Sequence, residues 1–258
     1  MSWIVMLTQV LLPLALLAWV AFYPALGWLA WGLQLISVAA VLLGLPGGYL
    51  AWHAIKGRVL PAEAVVDIAP PFPPGHYLIA HGGSAPMINA HLKTLDQTVE
   101  RFRPWRGQSK ALDIFRISSL GFHKNGWQPT DPARYTTFGV PVLSPCRGEV
   151  ALVVDGIEDM PVPEMDRNHM AGNYVAINCG DFFAILAHLR QGSIAVATGD
   201  RITTGELLGQ MGNSGNSSEP HLHLHAQKGL PEEAPLSGEP LWITINNRFL
   251  VRNGRLSF

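Results

Sequence analysis

Glu219-Pro220-His221-Leu222-His223-Leu224-His225 alternates imidazole and leucine without a break after Pro220. A repeat of two is the strand period, so the three histidines share one face and Leu222 and Leu224 the other. Imidazoles two residues apart on a strand stand roughly 6–7 Å apart at the backbone. Both can reach one metal ion, or one can bind it while the other faces a neighbouring water. Histidines also decorate exposed strand faces as plain polar residues, so the rest of the chain has to decide. The loop just before, Gly212 to Ser218, is rich in Gly, Asn and Ser. It holds no Lys and no helical pattern follows it, which argues against a phosphate cradle.

Upstream of this stretch the pattern is mostly strands. His76 to Ala80, Val140 to Leu143, Glu149 to Val154, Tyr174 to Ile177, Phe182 to Leu189 and Glu206 to Met211 are short apolar runs bounded by Gly, Pro or Asp. Asn253-Gly254, between apolar runs, predicts a tight hairpin turn. Helical periodicity is scarce, with His91 to Arg103 the best candidate. The domain is therefore expected to be mainly antiparallel β. Gly199-Asp200 to Gly205 is a supporting hairpin turn, Glu219 a loop charge or a neighbour of a ligand, and Asp155, Glu158 and Asp159 a solvated loop or a cation cluster.

The N-terminal part is different in kind. Of 258 residues 48% are hydrophobic and 14% charged, and the mean hydropathy is +0.19. Residues 1–55 hold no Asp, Glu, Lys or Arg and five of the eight tryptophans. Trp3 to Phe22 and Leu26 to Leu45 each approach the ~20 apolar residues that span ~30 Å of hydrocarbon. Pro24 and Gly27 separate them, and Pro46-Gly47-Gly48 is expected to end the second. Two transmembrane helices forming a hairpin anchor over 1–55 are predicted, with Trp3, Trp19, Trp28 and Trp52 near the interfaces. A cleaved signal peptide fits less well, because no basic region precedes the first span. Residues 56–75 read as a Pro-rich linker or edge segment, and 76–258 as the functional domain. Lys56 and Arg58 favour a cytoplasmic side for that domain. The formal net charge of −1 offers no attraction to phosphate, so no nucleic-acid partner is expected.

A specific resemblance rests on blocks that occur in order: Asn173-Tyr174-Val175-Ala176-Ile177, Leu186-Ala187-His188-Leu189, Gly199-Asp200 with Thr204-Gly205-Glu206, Gly212-Asn213-Ser214-Gly215, and Pro220-His221-Leu222-His223. This succession resembles the lysostaphin/LytM-type zinc metallopeptidases, cell-wall endopeptidases that cut peptidoglycan peptides. It covers about 141–227, and more loosely back to Gly82. The resemblance implies an antiparallel sheet crossed by a groove, the duplicated hybrid motif, and one Zn2+. It implies Asp113 and His223 as zinc ligands and His188 and His221 as the catalytic pair; His225 has no role in the family and is expected to be a plain exposed or groove-edge residue. The first ligand departs from the commonest pattern, because Ser109 stands four residues before Asp113. His91, in Asn89-Ala90-His91, matches a subgroup in which such a segment supplies the imidazole. His81, or a site with incomplete ligation, are the alternatives.

Three N/O ligands leave a zinc position open, as in catalytic rather than structural sites. No His-Glu-x-x-His occurs, so a Glu base of that type is not expected, and the histidine pair takes its place. Two other functions compete: a catalytically inactive domain of this fold that binds peptidoglycan or regulates another hydrolase, and a carrier module of the biotinyl or lipoyl type. The latter lacks a Lys at a hairpin tip and leaves the histidines without a purpose. The resemblance puts the substrate, and hence the domain, outside the cytoplasmic membrane, against Lys56 and Arg58. An oxidising compartment there would permit the only two cysteines, Cys146 and Cys179, to pair; two separate thiols are the alternative.

Overall fold

The computed structural model describes residue 14 and residues 27–257. The chain divides into two compact units, Met1–Lys56 and Gly57–Phe258, and each is taken by itself. In the first, α1 (Gly27–Lys56) is one helix of 30 residues. The predicted stop at Pro46-Gly47-Gly48 is not observed. A proline inside a helix forfeits one hydrogen bond, yet the residues that follow, Tyr49 to Ile55, are again apolar and continue the helix. Trp31–Lys56 is long and apolar enough to cross a membrane, with only 12% of its most apolar window buried. Trp31, Leu35, Leu42 and Tyr49 are all exposed. The other predicted span, Trp3 to Phe22, lies outside the described residues apart from Leu14, so the two-helix anchor has one described helix.

The second unit is mainly β. Its strands are β1 (Val65–Ile68), β2 (His76–His81), β3 (Leu112–Ile117), β4 (Pro141–Leu143), β5 (Gly148–Val154), β6 (Asn173–Asn178), β7 (Phe183–Leu189), β8 (Arg201–Ile202), β9 (Leu207–Gln210), β10 (Leu222–Lys228), β11 (Glu239–Ile245), β12 (Arg248–Phe249) and β13 (Arg255–Ser257). One 11-stranded sheet runs β13-β2-β3-β10-β7-β6-β5-β8, with β11 joining β10, β1 and β12; β4 and β9 form a separate pair. Among the described residues all strand pairings are antiparallel except β1 with β11. Part of the Pro-rich stretch 56–75 is therefore sheet, and its Phe72 is buried in the core.

β10 lies at the centre. One edge meets β3 at Leu222–Leu224 and β11 at Ala226–Lys228; the other meets β7 from His223 to Gln227. Leu222, Leu224 and Ala226 face the main core beside Ile79, Ile114, Leu186 and Leu189. Fully burying a leucine side chain stabilises by about 1.5–3 kcal/mol, which is ample to hold the register of a seven-residue strand. With the leucines committed inward, His223 and His225 must face the other way. That second face carries a smaller cluster: Tyr174, Ala176, Ile185, Ala187 and Leu236.

Two local expectations are corrected. His91 to Arg103 is not an α-helix but parts of two 3-10 segments, Ala90–Leu95 and Glu100–Lys110. Asp96 breaks the run, its Oδ1 accepting from the amide and hydroxyl of Thr98, and Pro104 lies within the second segment. Asn253-Gly254 does make a turn, with Asn253 at φ 64°, but β13 beyond it pairs with β2 instead of folding back on the preceding run. β13 takes the edge of β2 that β3 leaves open.

Candidate metal centre

The site is built on the face of β10 that the leucines leave free. Across the ladder, His223 pairs with Asp113 of β3. Since Leu112 and Ile114 enter the core, alternation sends Asp113 to the same face as His223. His223 Nδ1 lies 3.0 Å from Asp113 Oδ1. His221, just before β10 and of the same parity, brings its Nε2 to 3.5 Å from Asp113 Oδ1.

His91 arrives from outside the sheet. It sits in the first turn of the 3-10 segment after Asn89, whose Oδ1 accepts from the His91 amide at 3.2 Å. The same Asn89 side chain donates to the carbonyls of Gly83 and Ala111 at 3.2 and 3.1 Å, tying the turn to the ends of β2 and β3. The result is a His91 Nε2 to Asp113 Oδ2 contact of 2.8 Å. Ser109 is fully buried and bonded to the Arg106 carbonyl and Thr94 hydroxyl, so its oxygen is spent elsewhere. His81 has its Nδ1 occupied by the Ala90 amide at 3.3 Å and supports the His91 turn from behind.

His188 reaches the site by a different device. In β7 it has the parity of Leu186, which is a core position, so strict alternation would bury it on the wrong face. A β-bulge intervenes: Asn173 pairs with Leu189 but Val175 with Leu186, so two residues of β7 oppose Tyr174 alone. His188 takes φ 60°, a left-handed conformation that costs energy for a residue with a Cβ. The bulge turns its ring to 4.8 Å from that of His221 and 5.6 Å from that of His223. Its Nδ1 donates to the Ser214 carbonyl at 2.8 Å. Gly172 lets the chain lie against Ser214, where a Cβ would collide.

These positions resolve into two ligand-capable groups, His91-Asp113-His223 and His188-His221-His223, each with donor atoms within 4.8 Å of one another. Electrostatics follow the geometry. Burial alone would raise the Asp113 carboxyl, but His91, His221 and His223 outweigh it and hold it well below the usual range. Burial pushes His188 well below an ordinary imidazole, with His221 and His223 adding to the effect. It also lowers His223 to about 4, whereas at His221 the Asp113 carboxylate overcomes burial and raises it. A neutral His221 has its proton on Nδ1, donated to the Glu219 carbonyl at 2.8 Å. A second proton, which Asp113 favours, would sit on Nε2, 3.5 Å from Asp113 Oδ1. His91, Asp113 and His223, two imidazoles with a carboxylate, place their donor atoms within 4.8 Å of one another, a donor set that suits zinc. The residues present fit such an ion.

Residues 134–235 match the model of peptidase family M23. The curated peptidoglycan DD-endopeptidase ShyA of Vibrio cholerae is 33% identical over 123 residues, 47% of this chain and 26% of that protein. Over residues 134–235 the chain is similar to M23 peptidases. It spans about a quarter of the length of that curated relative. Among solved structures, a putative M23 peptidase of Pseudomonas aeruginosa covers 70% of this chain and 53% of its own at 16% identity and a TM-score of 0.34. Lysostaphin shows 20% identity over 48% of this chain and 39% of its own, with a TM-score of 0.30.

The M23 match includes His188, His221 and His223 but begins after His91 and Asp113. The structure brings all five together. What the sequence reading missed is the supporting cast: Asn89 as the anchor of the turn, Ser214 as the partner of His188, and the bulge. The motif Gly212-Asn213-Ser214-Gly215 carried a signal for the second only. Glu219, left open as a loop charge or site neighbour, pairs with His123 and Lys124 at 3.3 Å each. Asp159 is a structural acceptor for the amides of Gln191 and Asn213. Cys146 and Cys179, flanking β5 and β6, are joined with Cα atoms 5.9 Å apart.

Proposed function

We propose that this chain is a membrane-anchored zinc endopeptidase that hydrolyses peptide bonds in peptidoglycan, with His91, Asp113 and His223 as ligands and His188 and His221 as the catalytic pair. The observation that carries the reading is the convergence of three imidazole nitrogens, at 2.8, 3.0 and 3.5 Å, on the one buried carboxylate of Asp113. His91, Asp113 and His223 would hold the ion, and a zinc bound there would supply Lewis-acid polarisation of a scissile carbonyl and a water whose pKa falls from ~15.7 to near 7.

The chain's own groups divide the remaining work. His188 spends its Nδ1–H on Ser214, so the neutral ring offers its Nε2 lone pair as the base that takes the proton of the attacking water. The same nitrogen then returns that proton to the departing amine. Burial keeps His188 neutral for this task. His221, whose proton affinity is raised beside Asp113, is placed to donate from Nε2 to the oxygen that gains charge. A cavity of about 310 Å³ lined by Trp105, Met170, Ala171, Tyr174 and Leu236 opens on the same face; its Ala171 carbonyl accepts from the His188 amide. It offers an apolar wall for one stretch of the substrate.

Residues 1–55 serve as the anchor and 76–258 as the peptidase domain in this reading, with the domain on the periplasmic or outer side of the cytoplasmic membrane. The paired cysteines support that side, because disulfides persist in oxidising compartments. The basic Lys56 and Arg58 point the other way, and two charges weigh less than a substrate's location. The test is digestion of purified sacculi by the full chain in detergent, with mass analysis of the released fragments. Fragments with newly freed peptide amines, lost with a chelator and restored by zinc, are expected. A zinc-loaded chain that binds sacculi without cutting them would overturn the reading in favour of an inactive binding domain.

A further inference from the structure

His225 belongs to neither ligand-capable group, yet it is almost fully buried at 1% exposure and directed at the site. Its Nδ1 lies 3.2 Å from His223 Nε2, on the opposite side of the His223 ring from Asp113. Behind it on the same strand face is Gln227, whose Nε2 donates to the carbonyls of Gly229 and Pro235 at 2.7 Å each. Those two bonds leave no doubt which way the amide is turned, and its Oε1 is driven to the other side, against Gly107. Among the described residues, His225 Nε2 and Gln227 Oε1 are the two buried side-chain polar atoms without a hydrogen bond. They stand on neighbouring side chains, one able to donate and the other able only to accept.

We propose that His225, oriented by Gln227, is a positioning residue that sets the tautomer of His223. The inference rests on the reading of His223 Nδ1 as a metal ligand. Gln227 Oε1 favours the proton on His225 Nε2, which makes His225 Nδ1 an acceptor. That acceptor takes the N–H of His223 Nε2. A neutral His223 with its proton on Nε2 has its lone pair on Nδ1, the nitrogen that faces Asp113 and the metal position. The chain of choices therefore runs outward from two backbone carbonyls to the lone pair offered to the ion. Outer partners of this kind hold a ligating imidazole in one tautomer and orientation, and losing one typically costs about 10–100-fold in metal affinity. Gly107 is part of the device, because a side chain at that position would collide with Gln227 Oε1.

The test uses the full chain in detergent, with zinc affinity measured by competition against a chromophoric chelator and ring tautomers read from histidine ¹⁵N spectra. His225→Leu, which fills the space without an acceptor, should weaken zinc binding by about 10–100-fold. His225→Glu, which restores an acceptor, should return it to within a few-fold of the parent. In the zinc-loaded parent, His223 and His225 should both carry their proton on Nε2. Parental affinity in His225→Leu, or a proton on Nδ1 of His225 in the loaded parent, would overturn the proposal while leaving the metal reading intact. A parent chain that binds no zinc would instead overturn the metal reading. If His225→Leu does not fold, Gln227→Leu and the parent spectrum decide the same question, since loss of Gln227 should release His225 from a single tautomer.

Discussion

Two halves of one site are held by different physics. His223 and Asp113 stand on central strands, opposite each other in the ladder, and their places follow from Leu222, Leu224, Leu112 and Ile114 entering the core. His91 stands on a 3-10 turn outside the sheet, and its place follows from one amide side chain, Asn89, with three hydrogen bonds. A strand-borne ligand inherits its position from hydrophobic burial that many residues share. A turn-borne ligand depends on a few polar contacts, each worth about 0.5–1.5 kcal/mol. The strand half should therefore tolerate change around it, and the turn half should not.

The largest effect tests the union of the halves. His223→Ala, Asp113→Ala and His91→Ala should each strip zinc from the chain, measured as metal per protein after gel filtration. Equal zinc content in His91→Ala and the parent would detach the turn from the site and return the third ligand to His81 or to no residue. His188→Ala should behave differently, keeping its zinc while turnover falls by about 10²–10⁴-fold, the span of general acid–base catalysis. Metal loss in His188→Ala as complete as in His223→Ala would mean that the bulge presents a ligand and not a base.

The strand half was legible because a period of two is visible in one stretch. Alternation in Pro220 to His225 gives the face, and the leucines give the direction. The turn half was legible only through the Asn89-Ala90-His91 resemblance, since neither spacing nor hydropathy links His91 to a residue 132 positions later. His188 was named by resemblance too. Its parity contradicts its position, and the bulge that repairs this depends on Ser214 and Gly172, whose contacts are long-range. The end of α1 was misplaced for a simpler reason. Pro46-Gly47-Gly48 is a strong local stop signal, and the apolar run beyond it outweighs local propensity.

The disulfide bears on the rigid side of the comparison. It ties the start of β5 to the end of β6, 33 residues apart, within the strand scaffold that carries β7 and β10. For a loop of that length the chain-entropy model gives about 3–4 kcal/mol. Cys146→Ser with Cys179→Ser should lower the unfolding free energy by about that much and leave zinc affinity near the parent value. In intact spheroplasts the thiols of the parent should react only after reductant, and an external protease should reach the domain. A protected domain with both thiols free would place it in the cytoplasm and remove peptidoglycan as its substrate.

The smallest effect comes from a pair of buried polar residues on the turn side. Asn89→Ala removes the donor bonds to Gly83 and Ala111 and the acceptor for the His91 amide, while His91 itself remains. Zinc affinity should fall by about 10–100-fold, as for other groups that orient a ligand. Ser109→Ala lies equally deep and also breaks local bonds, to Arg106 and Thr94. It should cost about 1 kcal/mol of stability and leave zinc affinity unchanged, because none of its bonds reaches His91's ring or Asp113. Measured together, the two variants separate loss of a general buried hydrogen bond from loss of the particular one that aims the ligand. Equal affinities in both would show that the turn is held by packing, as the strands are, and that the two halves of the site do not differ after all.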